Sequence, residues 1–260
     1  MVSPTPLHPT HLHVIRHDGD PDAPVLLLLH GLGGTGAVWH PLIDVLGWSG
    51  DVIVPDLRGH GRSPWTDLYS FGAMAADVAG LIGPRRPTAI VGHSMGAVVG
   101  LGLATGWFGI DVTHLATVGI KVVWSDDEIA AIDRIAAKPA RLFDQVADAR
   151  EWAAKLAGLF GVIDPDDPML DGAVTAVDGG YRASLDPRAG LVGPPPLEPL
   201  HAAVADVPIV HCLGDRDPMV SPDQSATMGR EVHVIADAGH NAMVEQPAEV
   251  AAVLNRLTVS

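Results

Sequence analysis

Apolar residues follow two rhythms along this chain. Short, mostly apolar runs of strand length recur at 25–29, 88–91 and 208–213, and the first ends in a glycine-rich turn. Runs without polar alternation belong to strands covered on both faces, as in parallel sheets. Residues 12–16, 51–54, 114–120 and 231–235 read as further strands. The second rhythm is helical, at 69–82, 222–228 and 241–256. Residues 95–105 are apolar and small throughout, which suits a buried helix. Strand alternating with helix, with little hairpin chemistry, predicts an α/β class with a doubly wound, mostly parallel sheet.

The rhythm breaks between 121 and 200. Helical patterns span 126–137 and 144–160, a Pro/Asp turn follows at 164–168, and prolines stiffen 194–199. This interval reads as a mostly helical lid inserted over the sheet. The predicted division is a core of residues 1–120 and 201–260 and a cap of residues 121–200.

Composition narrows the picture. The length of 260 residues suits one α/β domain carrying an insertion, and 47% hydrophobic residues allow a large core. The net charge of −15 repels nucleic acid and anionic lipid, and no Lys/Arg cluster offers a phosphate stripe, so neither partner is expected. Residues 1–9 lack the basic start and apolar stretch of a signal peptide, and 25–29 is too short to span a bilayer. A cytoplasmic location is expected. The single cysteine, Cys212, lies in an apolar run and reads as a small buried hydrophobe. Oligomeric state leaves no mark in the sequence.

Chemistry enters with Gly92-His93-Ser94-Met95-Gly96, a G-x-S-x-G pentapeptide. Its weight comes from context: the strand at 88–91 precedes it and the small-residue helix follows. A sharp strand-to-helix turn strains its central residue and needs small neighbours so that backbones can approach. Ser94 is the expected nucleophile, and a serine hydroxyl needs a base. Among 13 histidines, His240 stands between the last strand and the last helix, at the sheet edge where ligands bind in such folds. His93 is expected to point away from the pocket, and His30 and His60 to hold loops. Of the acids after the 208–213 run, Asp217 precedes a proline that extends the local backbone, whereas Asp215 reads as a turn residue. Asp217 is therefore the expected partner of His240. Asp126 and Asp127 are the rival acids, with a helix N-terminus as their plainer role. An oxyanion requires preorganised N–H donors; Met95 offers one and the turn after 25–29, most naturally Leu32, the other. Residues 31–36 lack both G-x-G-x-x-G and a P-loop lysine, so phosphate binding is discounted.

With these residues assembled, the chain resembles the α/β-hydrolase superfamily, most of all its small esterase, haloperoxidase-like and C–C hydrolase branches. The landmarks are HGLGG at 30–34, DLRGHGRS at 56–63, GHSMG at 92–96, GDRDP at 214–218 and AGH at 238–240. The resemblance covers residues 12–120 and 201–257. It implies a Ser94–His240–Asp217 triad, an oxyanion hole from Leu32 and Met95, no cofactor or metal, and a structural role for 56–63. Serine at position 94 disfavours the dehalogenase and epoxide hydrolase branches, which use aspartate there. C–C hydrolases often carry Asn before the serine and Gly after the motif, where this chain has His93 and Ala97.

The expected function is hydrolysis of a small carboxylic ester, lactone or thioester through an acyl-enzyme on Ser94. The alternatives are C–C hydrolysis next to a ketone and a non-hydrolytic lyase or small-molecule receptor. The cap is expected to supply substrate contacts, with Trp124, Phe143 and Trp152 as candidates. Leu156, Leu159 and Phe160 join them, and Lys121, Arg134 and Arg182 are weaker candidates for an acidic substrate.

Overall fold

The computed structural model describes residues 11–83 and 86–259. The signal-peptide question at residues 1–9 therefore lies outside the described residues. The chain runs β1 (Val14–His17), β2 (Val25–Leu29), α1 (His40–Leu46), β3 (Val52–Pro55), α2 (Phe71–Ile82), β4 (Pro87–His93), α3 (Met95–Ala104) and β5 (Asp111–Val118). Next come α4 (Asp126–Ala136), α5 (Val146–Leu156), β6 (Val174–Val177), β7 (Gly180–Ala183) and α6 (Leu197–Ala203). It closes with β8 (Ile209–Gly214), α7 (Pro222–Ala226), β9 (Glu231–Ile235), α8 (Ala242–Glu245) and α9 (Pro247–Val259).

Seven strands form one sheet in the order β1-β3-β2-β4-β5-β8-β9. The β1–β3 pair is antiparallel and every other pair is parallel. The uniform apolarity of β2 has its reason here, since all five residues are buried. Leu26 and Leu28 join Leu42 of α1 and Val250 of α9 in one core layer. Val25, Leu27 and Leu29 join Met74 and Val78 of α2 and Leu101 of α3 in the other. Cys212 sits in the first layer, where burial pushes its thiol up to about 12, as suits a small hydrophobe.

Capping sets several boundaries. Ser70 accepts from Ala73 N–H and starts α2, and Ser125 with Glu128 forms a capping box for α4. The helix expected over 241–256 is broken into α8 and α9 by Pro247, which cannot donate to the preceding turn.

Residues 121–200 depart from the mostly helical expectation. They hold α4 and α5, but also an antiparallel hairpin of β6 and β7, to which Phe143 adds a bridge at Tyr181. Asp178 and Gly179 form the two-residue turn of that hairpin, with Gly179 at positive φ. Among the described residues, no helix is long and apolar enough to cross a membrane.

Candidate active site

The C-terminal ends of the parallel strands gather the sequence's candidates. Ser94 follows β4 and caps α3 with φ 48° and ψ −112°, a strained state for a non-glycine residue. Its neighbours are glycine of necessity. A Cβ on Gly96 would lie 2.3 Å from the Leu29 carbonyl oxygen, and one on Gly92 would lie 2.5 Å from Ala97 Cα. Ser94 N–H donates to the Val118 carbonyl at 2.8 Å, tying the turn to β5.

Asp217 and His240 come from the loops after β8 and β9. His240 Nδ1 lies 2.8 Å from Asp217 Oδ2, with the aspartate side chain wholly buried and the imidazole 14% exposed. Met219 N–H donates to the other oxygen, Oδ1, at 2.8 Å, so both carboxylate oxygens are engaged. Glu245 accepts from Gly239 N–H at 2.8 Å and from Asn241 N–H at 3.2 Å, fixing the backbone on either side of His240. Asp215 is exposed and takes the turn role, accepting from Ala238 N–H at 3.3 Å. Asp126 and Asp127 are exposed in the first turn of α4, where their charge suits the helix dipole.

Ser94 and His240 line one cavity of about 270 Å³, at or below the small end of ligand pockets (~300–1,000 Å³). Leu32 and Met95 line it too. Leu32 stands at the corner of a turn closed by Gly34 N–H donating to the Gly31 carbonyl at 3.1 Å. Among the described residues, no three His, Cys, Asp or Glu side chains converge as a metal site.

His93 corrects the expectation that it points away. It lines the cavity and packs edge-on against His240, with ring centroids 4.7 Å apart. Its Nε2 lies 3.1 Å from the His240 carbonyl oxygen; a carbonyl only accepts, so this nitrogen carries the proton. Burial, and then the adjacent His240, hold His93 well below the ordinary histidine range. His30 bridges two loops: its Nε2 accepts from Leu57 N–H at 2.9 Å and its Nδ1–H donates to Gly31 O at 2.8 Å. Asp56 braces residues 56–63, accepting from Gly36 N–H at 2.7 Å and Arg62 N–H at 2.9 Å.

The expected substrate contacts divide. Trp124 and Leu156 line the cavity. Phe143 and Trp152 do not. Their rings pack 6.5 Å apart beneath Arg141, and Trp152 leans on the core layer of α1 and α9. The apolar face of α5 points inward, and Trp152 serves helix packing there rather than the cavity. Leu159 is buried in that same core, and Phe160 is exposed under Lys155. Lys121 lines the cavity, whereas Arg182 stacks on Trp65 at 3.6 Å and Arg134 is exposed on α4.

Sequence reasoning missed Phe71, Val98, Lys155, Val192, Pro195 and Met219, all in the lining. Val98 and Met219 carried a signal. Val98 lies one helical turn after Ser94, and Met219 two residues after Asp217. Val192 and Pro195 carried none, because only the folding back of residues 187–196 brings them there.

Comparison with known proteins identifies the family and the fold. A family model described as the alpha/beta hydrolase family matches residues 26–253. The chain is 29% identical over 262 residues to lipase LipV of Mycobacterium tuberculosis, covering 94% of this chain and 96% of that one. It is 31% identical over 254 residues to the magnesium-chelatase 30 kDa subunit of Rhodobacter capsulatus, covering 85% and 82%. Among solved structures, E-2-(acetamidomethylene)succinate hydrolase superposes with a TM-score of 0.78 at 23% identity, covering 96% of this chain and 95% of that one. At that identity the likeness shows the fold.

Proposed function

The chain belongs to the alpha/beta hydrolase family, and from that premise we propose that it is a serine hydrolase cleaving a small carboxylic ester, lactone or thioester through an acyl-enzyme on Ser94. The observation that carries this reading is the His240–Asp217 hydrogen bond of 2.8 Å, sealed from solvent on the aspartate side and placed on the cavity that holds the strained Ser94.

The chemistry follows from the tautomer. His240 Nδ1–H donates to Asp217, so Nε2 is left to take the Ser94 hydroxyl proton. Ser94 Oγ forms a bond to the carbonyl carbon, and the carbonyl π pair moves to oxygen. The N–H groups of Leu32 and Met95 meet that oxyanion; losing one such donor costs ~2.7–4 kcal/mol in hydrolases of this type. As the carbonyl re-forms, the bond to the leaving oxygen or sulfur breaks, and that atom takes the proton from His240. Water then repeats the sequence on the acyl-enzyme, releasing the acid and restoring Ser94. Asp217 stays ionised and stabilises the transient imidazolium.

A fluorophosphonate tests the assignment. It is expected to label the native protein and not Ser94→Ala, and short p-nitrophenyl esters should turn over only with Ser94 present. Unchanged ester turnover in Ser94→Ala would sink the nucleophile. Ester binding without labelling of the native protein would replace the enzyme with a receptor.

A further inference from the structure

The chain has three lysines, at 121, 138 and 155. Lys121 and Lys155 line the cavity that holds Ser94 and His240, while Lys138 is exposed outside the lining. Among the described residues, no Asp, Glu or Arg lines that cavity. Acidic residues outnumber basic ones 31 to 16 over the whole chain, so the cavity inverts the sign of the molecule. Its walls are otherwise largely apolar, including Leu32, Trp124, Leu156 and Met219. Charges between low-dielectric walls are screened less than charges on an open surface.

Each of these two lysines has a carboxylate partner. Lys121 pairs with Glu128 and Lys155 with Glu151. The two glutamates are 45% and 44% exposed, so water and salt weaken their hold. Lys121 is the more enclosed lysine, its side chain 11% exposed and its ammonium 5.1 Å from the centre of the Trp124 ring. Glu128 is also bound to the start of α4, accepting from Ser125 N–H at 2.9 Å. It is therefore anchored and satisfies Lys121 from one direction. An ammonium has three donors, which leaves further donors for a group inside the cavity. Lys155, 42% exposed and with its ammonium 4.5 Å from the centre of the exposed Phe160 ring, stands at the rim of the cavity, and Lys121 is the enclosed cation. One enclosed ammonium matches a singly charged carboxylate better than a dianionic phosphate.

Resting on the acyl-enzyme reading, we propose that the substrate is anionic: a small ester whose non-reacting end is a carboxylate, received by Lys121 and Lys155 while Ser94 attacks the ester carbonyl. The preference comes from charge-assisted hydrogen bonds to the substrate's far end, so it acts on binding rather than on the reacting atoms.

The test compares p-nitrophenyl hydrogen adipate with p-nitrophenyl hexanoate, equal in chain length but ending in carboxylate or methyl. The adipate is expected to show a kcat/KM about tenfold higher at low ionic strength, with the gap closing as salt is raised. Lys121→Met should bring the ratio near one, whereas Lys138→Met, which removes the same charge elsewhere, should keep it. Equal kcat/KM for the two esters in the native protein would overturn the proposal, as would an equal fall in both lysine variants. Calorimetric binding of the two esters to Ser94→Ala separates this proposal from the one beneath it. Tighter binding of the adipate, lost on adding Lys121→Met, upholds an anionic ligand even if the native protein hydrolyses neither ester; in that event only the acyl-enzyme reading falls. Equal binding of both esters overturns the anionic preference even where hydrolysis is fast.

Discussion

The loops at the C-terminal edge of the sheet and residues 121–200 face each other across one cavity, yet different forces hold them. At the sheet edge, backbone presses on backbone. A Cβ on Gly96 would meet Leu29 O at 2.3 Å, and one on Gly214 would meet Ala238 O at 2.1 Å. Across the cavity, elements are short; small and aliphatic side chains such as Ala153, Leu159 and Leu170 pack on the first core layer, and a few polar contacts add to that attachment. Asn241 Nδ2 donates to Ala157 O at 3.2 Å and Gly158 O at 3.0 Å. Tyr69 donates to Asp186 at 2.8 Å, and Trp65 Nε1 donates to Ser184 O at 2.8 Å. The turn at Ser94 therefore rests on backbone contacts with no slack, while the facing wall is held by side-chain packing and by hydrogen bonds that can be removed one at a time. Chemistry and specificity should separate under mutation.

The largest expected effect lies at the sheet edge. Asp217→Asn should lower kcat by about 10⁴-fold, because the amide favours the wrong imidazole tautomer, with KM little changed. Asp215→Asn, in the same loop but exposed, should stay within a few-fold; similar losses in steady-state assays would erase the distinction between the two acids. Gly96→Ala should destabilise the fold by ~3 kcal/mol or more, or prevent soluble expression, since the methyl meets backbone and not a movable side chain. Denaturant unfolding measures it.

Across the cavity the effects should be smaller and of another kind. Asn241→Ala leaves two carbonyls at the end of α5 without their side-chain donor, for a loss of ~1–3 kcal/mol. It should raise KM more than it lowers kcat; the reverse split would show that α5 supports His240 directly. Acid should act on buried histidines in β8 and in the loop after β3. Burial holds His60 and His211 down to about 3, against an ordinary 6.5. The unfolded chain therefore takes up these protons first as pH falls. Stability is fully present above about 6.5 and is lost progressively toward 3, at ~1.4 kcal/mol per pH unit for each histidine. His211→Asn should flatten the fall in Tm between these limits. Phe143→Leu, outside the cavity, should change ester kinetics hardly at all and stability by about 1 kcal/mol or less.

The sheet and the chemical landmarks were legible because their signals are local. The run at 25–29 needs both faces covered, so it becomes the central strand β2. Gly92 and Gly96 stand beside Ser94 because no side chain fits there. Asp217, which precedes Pro218, is the acid that meets His240, while Asp215 is exposed. Residues 174–183 were not legible, since β6 and β7 are only four residues each and their hairpin is stabilised by the pairing itself. Trp152 was misplaced for a related reason. Helical spacing says that a face is apolar but not what it faces.

By itself, then, the sequence determined the parallel sheet and the tight glycine-flanked turn at Ser94, because each follows from contacts a few residues apart or from strict steric need, whereas Asp217 and His240, 23 residues apart, meet because β8 and β9 pair side by side. Only the tertiary structure decided that His93 turns toward His240, that Trp124 rather than Phe143 or Trp152 reaches the cavity, and that Lys121 and Lys155 meet there. Those placements depend on side chains from segments distant in the chain packing against one another, and no local pattern encodes which of several apolar or charged residues will arrive.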